Sequence, residues 1–173
     1  MLIEELLKYR PQQQEIDDFY SYLLNFWDIF IEKIPGVKHY VDICNDKKAA
    51  SAYRNKDNGG LLYFRSIGLP RLIKAIFETQ LRLGLKLEEV IEYFSQVEMC
   101  ISKEPWINIM WDIKTQTMVM KYKSIIFHML IFLIKKELLT PKEYDTLIKN
   151  FALANDYEIN EANQKLVNIH SIL

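Results

Sequence analysis

One stretch constrains this chain more than any other: ten residues from Ile125 to Ile134, "IIFHMLIFLI", apolar except for His128. A helix that crosses a bilayer needs about 20 such residues. This run therefore predicts a buried helix of roughly 123–138 rather than an anchor, and the rest of the chain must supply the surfaces that cover it. Half of the 173 residues are apolar, enough for a sizeable core, and only five glycines and five prolines occur, which argues against a loop-rich all-β fold.

The remaining segments carry apolar residues in steps of three and four, the mark of one helical face. From Gln12 to Ile34 these are Ile16, Phe19, Leu23, Phe26, Trp27, Phe30 and Ile34, and Pro35-Gly36 stops the helix. Before it, Ile3 to Arg10 can form a short helix, with Pro11 suited to a first helical turn. Leu69, Leu72, Ile73, Ile76, Phe77 and Leu83 form a second stripe, closed by Gly84 where a C-terminal glycine is expected. Leu87, Val90, Ile91, Phe94 and Val97 form a third, and the short link predicts a helical hairpin. Thr140-Pro141-Lys142-Glu143 has the capping-box pattern with proline in the first helical position. A last helix is expected from about Asn160, using Ala162, Leu166, Ile169 and Leu173.

Two aromatic stretches break this pattern. "GGLLYFRSIG" opens at Gly59 and reads as a short extended piece or the start of the next helix; "EPWINIMWD" opens at Glu104. "WINIMWD" and "TMVMKY" alternate with a period of two around "IKTQ", which predicts a β-hairpin of 106–112 with 117–121. On that alternation Trp106 and Trp111 face opposite sides, so at least one belongs to the core. "VKHYVDIC" fits either a short strand or a helical turn, and "NDKKAASAYRNKDNGG" starts as helix and ends in turn residues. The expectation is one mainly α domain over 1–173, a helical bundle with a small β-hairpin insert at about 106–121.

The chain carries no P-loop, no Rossmann fingerprint and no ligand-spaced cluster of His, Cys, Asp or Glu, so neither metal nor cofactor is expected. Cys44 and Cys100 lie far apart and read as two reduced thiols of a cytoplasmic protein; "LIEELLKYR" after Met1 is no signal peptide. His128 reads as a core imidazole bonded to a neighbour, and Glu88, Glu89 and Glu92 as a solvated face. No catalytic residue is assigned.

Charge is nearly balanced at −1, yet unevenly placed. Between Asp46 and Arg82 eight basic residues stand against three acidic ones, and residues 112–136 add five lysines against one aspartate. If the two segments meet in space, one face can contact phosphates, with Arg54, Lys56, Arg65, Arg71 and Lys74 as candidate DNA phosphate ligands. The competing reading is a mixed surface, since Lys74, Glu78 and Arg82 are spaced to pair along one helix. Trp106 and Trp111 could stack on bases or pack in the core; large apolar burial favours packing.

The same stretches resemble a known family. "LLYFRSIGL" is similar to the "LLFRPIG" segment in the C-terminal half of DGQHR-domain proteins, the group that includes the DndB-type proteins of DNA sulfur modification. "FWDIFIEKIPGVK" resembles the helix that ends there in "IPGW". "LGLKLEEVIEYFSQVEMCISKEPWINIMWD" resembles the run of leucine-rich helix, PW and LWD, and "TQTMVMKYKSIIFHMLIFLI" stands where that family has a "KMI" strand and an apolar helix. The resemblance covers roughly residues 20–140. Val37 replaces the expected tryptophan, Ser66 replaces a proline, and no D-G-Q-H-R occurs. The chain thus looks like the helical C-terminal region without the ParB-like half that would hold any nuclease- or nucleotide-type activity. Phe64, Arg65, Gly68, Pro105, Trp106, Trp111 and Asp112 carry over, none with a catalytic role. The resemblance implies a noncatalytic DNA-binding or regulatory module of a prokaryotic DNA-modification or phage-defence system. Its alternatives are a protein-interaction scaffold in such a system, partnered by a DGQHR-domain or other modification protein, and part of an enzyme completed by the missing half.

Overall fold

The computed structural model describes residues 12–44, 49–54 and 58–169. The expected helix at 3–10, Pro11, Lys56 and Leu173 lie outside the described residues. The chain is mainly α-helical, with one small antiparallel hairpin. Helix α1 spans Gln13–Lys33, α2 Val37–Ile43 and α3 Ala49–Ala52. A 3-10 turn at Leu62–Phe64 leads into α4 (Gly68–Leu83) and α5 (Leu87–Ser95). Strands β1 (Trp111–Asp112) and β2 (Thr117–Met118) precede α6 (Ile125–Ile134), α7 (Pro141–Asn155) and α8 (Ile159–Val167).

The apolar run is α6, and eight of its ten residues are buried. Covering each of these large aliphatic or aromatic side chains is worth about 2 kcal/mol relative to leaving it in water, so α6 is the element around which the others organise. It packs on α4 and α7; α4 also packs on α5 and on the 3-10 turn, while α5 in turn receives α1. One hydrophobic cluster runs through all of these contacts, from Phe26 and Phe30 on α1 to Leu166 on α8. Lys33 ties α1 to Glu92 on α5 at 2.9 Å.

Local chemistry explains where the helices stop. Gly84 takes a left-handed backbone, φ 66°, and its N–H donates to Gln80 O to close α4. Thr140 and Glu143 form the capping box: Thr140 Oγ1 accepts from Glu143 N at 3.3 Å and Glu143 Oε2 accepts from Thr140 N at 2.8 Å. The helix expected at 123–138 is shorter, because a 3-10 turn at Lys136–Leu138 replaces its last turn. "VKHYVDIC" resolves as helix: Gly36, at φ 79°, starts α2 directly after the α1 stop.

The hairpin forms in the expected place but is far shorter than 106–112 with 117–121. The ladder holds Trp111 opposite Met118 and Asp112 opposite Thr117, extended by one bond from Val119 N to Met110 O at 2.9 Å. Residues 106–110 form a turn closed by a single bridge of Ile107 to Trp111, with the N–H groups of Ile109 and Met110 both donating to Trp106 O and Asn108 at φ 60°. The alternation argument therefore fails for the tryptophans, and both are buried. Trp106 satisfies its indole N–H on Glu98 O at 2.6 Å. The two-fold pattern of "WINIMWD" reflects a compact turn that points Trp106, Ile109, Met110 and Trp111 inward together.

Candidate functional site

The first aromatic stretch is held by its glycines. Gly59 and Gly60 have φ 68° and 75°, a region open to glycine and strained for other residues. A β-carbon on Gly60 would lie 2.0 Å from Tyr53 O, and one on Gly59 would lie 2.7 Å from the Trp111 ring. So close an approach lets Gly60 and Leu62 bond the segment just before the second stretch: Ile101 N donates to Gly60 O at 3.0 Å and Leu62 N to Met99 O at 2.7 Å. Of the two readings of this stretch, the extended one holds only at a bridge of Leu61 with Cys100, after which the chain coils into the 3-10 turn.

That coil turns Tyr63, Phe64 and Arg65 toward α1 and α2, and a cleft of about 390 Å3 opens between them. One wall is Trp27, Phe30 and Ile31 of α1; another is Tyr40 and Val41 of α2; the third is Tyr63, Phe64 and Arg65 with Ser66, Leu69 and Pro70 at the start of α4. Val37 and Arg54 complete the lining. The aromatic walls are mutually braced. Phe64 stacks on Tyr53 with ring centres 4.4 Å apart, and Tyr40 meets Phe64 edge-on at 5.0 Å. Tyr63 donates its hydroxyl hydrogen bond to Pro35 O, and burial pushes its phenol pKa up, so it stays neutral.

The polar part of the cleft is cationic. Arg54 donates from Nε to Phe64 O at 2.7 Å. Arg65 is half-buried and sends Nε and Nη2 to Gly59 O. Burial, and next the positive charge of Arg54, hold the Arg65 guanidinium below its ordinary pKa. Among the described residues that line the cleft, none is acidic. The start of α4 adds its dipole but few donors: Gly68 and Leu69 both spend their N–H groups on Arg65 O, and Pro70 has none.

The structure thus brings together Arg54 and Arg65 of the expected phosphate ligands. Arg71 and Lys74 lie a turn apart on α4, outside the cleft lining; the Lys74 ammonium sits 4.7 Å from the centre of the Phe127 ring. α4 packs on α6, but the five lysines of 112–136 all lie outside that apolar helix. Pairing along α4 is real at its far end only, where Arg82 binds Glu78 at 2.9 Å and Glu143 in a two-pronged contact at 2.8 and 2.9 Å. Arg65 is turned to a backbone carbonyl, and the Asp112 carboxylate accepts from the N–H groups of Lys114 and Thr115 in its own hairpin turn. His128 corrects another expectation: its Nδ1 is buried without a hydrogen-bond partner, and burial lowers its pKa. Among the described residues no group of three His, Cys, Asp or Glu is placed to hold a metal ion, and no helix is long and apolar enough to cross a membrane.

Sequence reasoning missed Trp27, Tyr40 and Val41 as walls of a site. A signal existed: residues 19–27, "FYSYLLNFW", carry more apolar groups than one packing stripe requires. Only Phe26 of that segment is buried, while Phe19, Tyr20 and Trp27 remain 62%, 61% and 39% exposed. No family model, curated protein or solved structure matches this chain.

Proposed function

We propose that this chain is a noncatalytic nucleic-acid-binding or regulatory module of a prokaryotic DNA-modification or phage-defence system. The system is suggested by the resemblance to the C-terminal region of DGQHR-domain proteins. The single observation that supports binding is the convergence of Arg54 and Arg65 on one cleft with no carboxylate in its described lining. A guanidinium suits phosphate because it is a permanent cation with several donors in one plane; Arg65 uses Nε and Nη2 on Gly59 O and Arg54 uses Nε on Phe64 O, so a phosphate would meet their remaining edges. Arg71 and Lys74 extend the positive surface along α4, whose N-terminal end carries the favourable half of the helix dipole. DNA binding measured across a salt series tests this. Loss of Arg54, or of Arg71 and Lys74 together, should weaken binding and flatten the salt slope by about one for each phosphate contact removed. Affinity unchanged in both variants ends the proposal.

A second reading, an interaction scaffold of the same kind of system, draws on a different observation. Ile16, Phe19, Tyr20 and Leu24 all stand exposed along α1, a row of large apolar groups that suits a protein partner. Stable complex formation that Phe19→Asp/Tyr20→Asp abolishes, with no retention on DNA, would select it.

A further inference from the structure

The cleft is built for something smaller and flatter than a duplex. Its volume, about 390 Å3, falls at the small end of the range for small-molecule sites, about 300–1,000 Å3. A duplex surface is convex and presents only its backbone to a recess of this size. The lining divides into two chemistries. Trp27, Tyr40 and Phe64 supply ring faces and edges, and Arg54 and Arg65 supply charge. A purely apolar occupant would leave the two cations without an opposite charge among the described lining residues. A bare inorganic anion would leave the aromatic surface wet, and the start of α4 has spent its first amide donors, so side chains must hold the anion. Only a ligand that joins a planar ring to a compact anion satisfies both parts.

We propose that the cleft binds one nucleotide unit, its base packed on the aromatic wall and its phosphate held by Arg54 and Arg65. The unit can come from a free nucleoside monophosphate or from an unstacked position of a single strand; the recognition chemistry is the same. Aromatic side chains accept any base face, so the site selects for an unpaired base carrying a phosphate rather than for sequence. Trp27 is the residue best placed to stack, because it is already partly exposed at the cleft. Its other contacts are edge-on packing with Phe26 and Phe30, ring centres 5.2 and 5.6 Å away. The proposal rests on the nucleic-acid reading above and narrows it.

Calorimetric titration tests it with five probes: thymidine 5′-monophosphate, thymidine, inorganic phosphate, a short oligothymidylate and a duplex. The variants are Trp27→Ala and Arg54→Gln, both at exposed positions, so the fold should survive; circular dichroism checks this. The monophosphate should bind, with thymidine and phosphate each weaker by about tenfold or more, and Trp27→Ala should lower its affinity by about tenfold. Arg54→Gln should weaken the monophosphate and leave thymidine unchanged. Binding of the oligonucleotide alone, lost in Trp27→Ala, supports the proposal and assigns the unit to a strand. Binding of neither, or binding untouched by both variants, overturns it. Duplex binding that Arg71→Ala/Lys74→Ala abolishes, with no response to nucleotide, overturns this inference and leaves the phosphate-contact reading standing. Nucleotide binding without duplex binding does the reverse.

Discussion

Replacing Glu143 with glutamine removes one charge from the best-formed ionic cluster of the fold while leaving its neighbours partnered. Glu143 makes a two-pronged contact with Arg82 and accepts from the backbone N–H of Thr140. Hydrogen bonding from Arg82 holds its carboxyl at about 2, against an ordinary 4.5. At about 1.4 kcal/mol per tenfold change in proton affinity, that displacement corresponds to about 3 kcal/mol. Both side chains keep about a fifth of their surface in water, and screening reduces the expected contribution to about 1–2 kcal/mol. Glutamine at this third helical position still serves a capping box, and Arg82 retains Glu78 and the Leu138 carbonyl. The loss therefore isolates the charge. The folded carboxyl is the stronger acid, so its stabilisation is fully present above about pH 4.5 and disappears as pH falls toward 2. Urea unfolding followed by circular dichroism should show Glu143→Gln less stable by about 1–2 kcal/mol at pH 7. The thermal midpoint should fall by about 3–6 °C. The gap should close progressively below pH 4.5. Equal stability at pH 7, or a gap that is constant with pH, would refute the reasoning.

Gly60→Ala should destabilise by more than about 2 kcal/mol or abolish folding, because the added carbon meets the Tyr53 carbonyl as well as a positive φ. Gly84→Ala, with a positive φ but no atom within 4 Å of the new carbon, should cost only about 1 kcal/mol; comparable thermal midpoints for the two variants would contradict this. Thr79 is fully buried, and its hydroxyl has no hydrogen-bond partner, so Thr79→Val should raise the midpoint by about 1–3 °C. A loss of stability there would reveal a bond the hydroxyl does make. Trp106→Phe strips the Glu98 carbonyl of its donor and shrinks a fully buried side chain. Chemical unfolding should register a cost of about 2–3 kcal/mol, and a neutral result would mean that the turn repacks.

Helices were legible here because burial needs only a period and a stop. The α4 stripe and Gly84, the capping box at Thr140 and the apolar run of α6 all specify their elements locally. The hairpin was legible in position but not extent, since a turn that hides several consecutive side chains can imitate alternation, as residues 106–111 do. The cleft was only half legible. Arg54 and Arg65 stood out as charges, but their meeting depends on two glycines that bring the chain back against Tyr53 and Trp111, a contact between distant segments that no spacing announces. Arg82 shows the opposite failure: i, i+4 spacing found Glu78, yet its tighter partner, Glu143, lies on another helix.

The packing of Gly59 has an optical consequence. Its α-carbon lies against the indole of Trp111, and its carbonyl anchors Arg65. Trp27, one of only three tryptophans in the chain, lines the recess that Arg65 also lines. An occupant would thus shield one indole from solvent directly and tug on the backbone that touches another. Intrinsic emission, with no dye attached, becomes a built-in gauge of whether the recess is filled, and the sheltered indole of Trp106 serves as its internal standard.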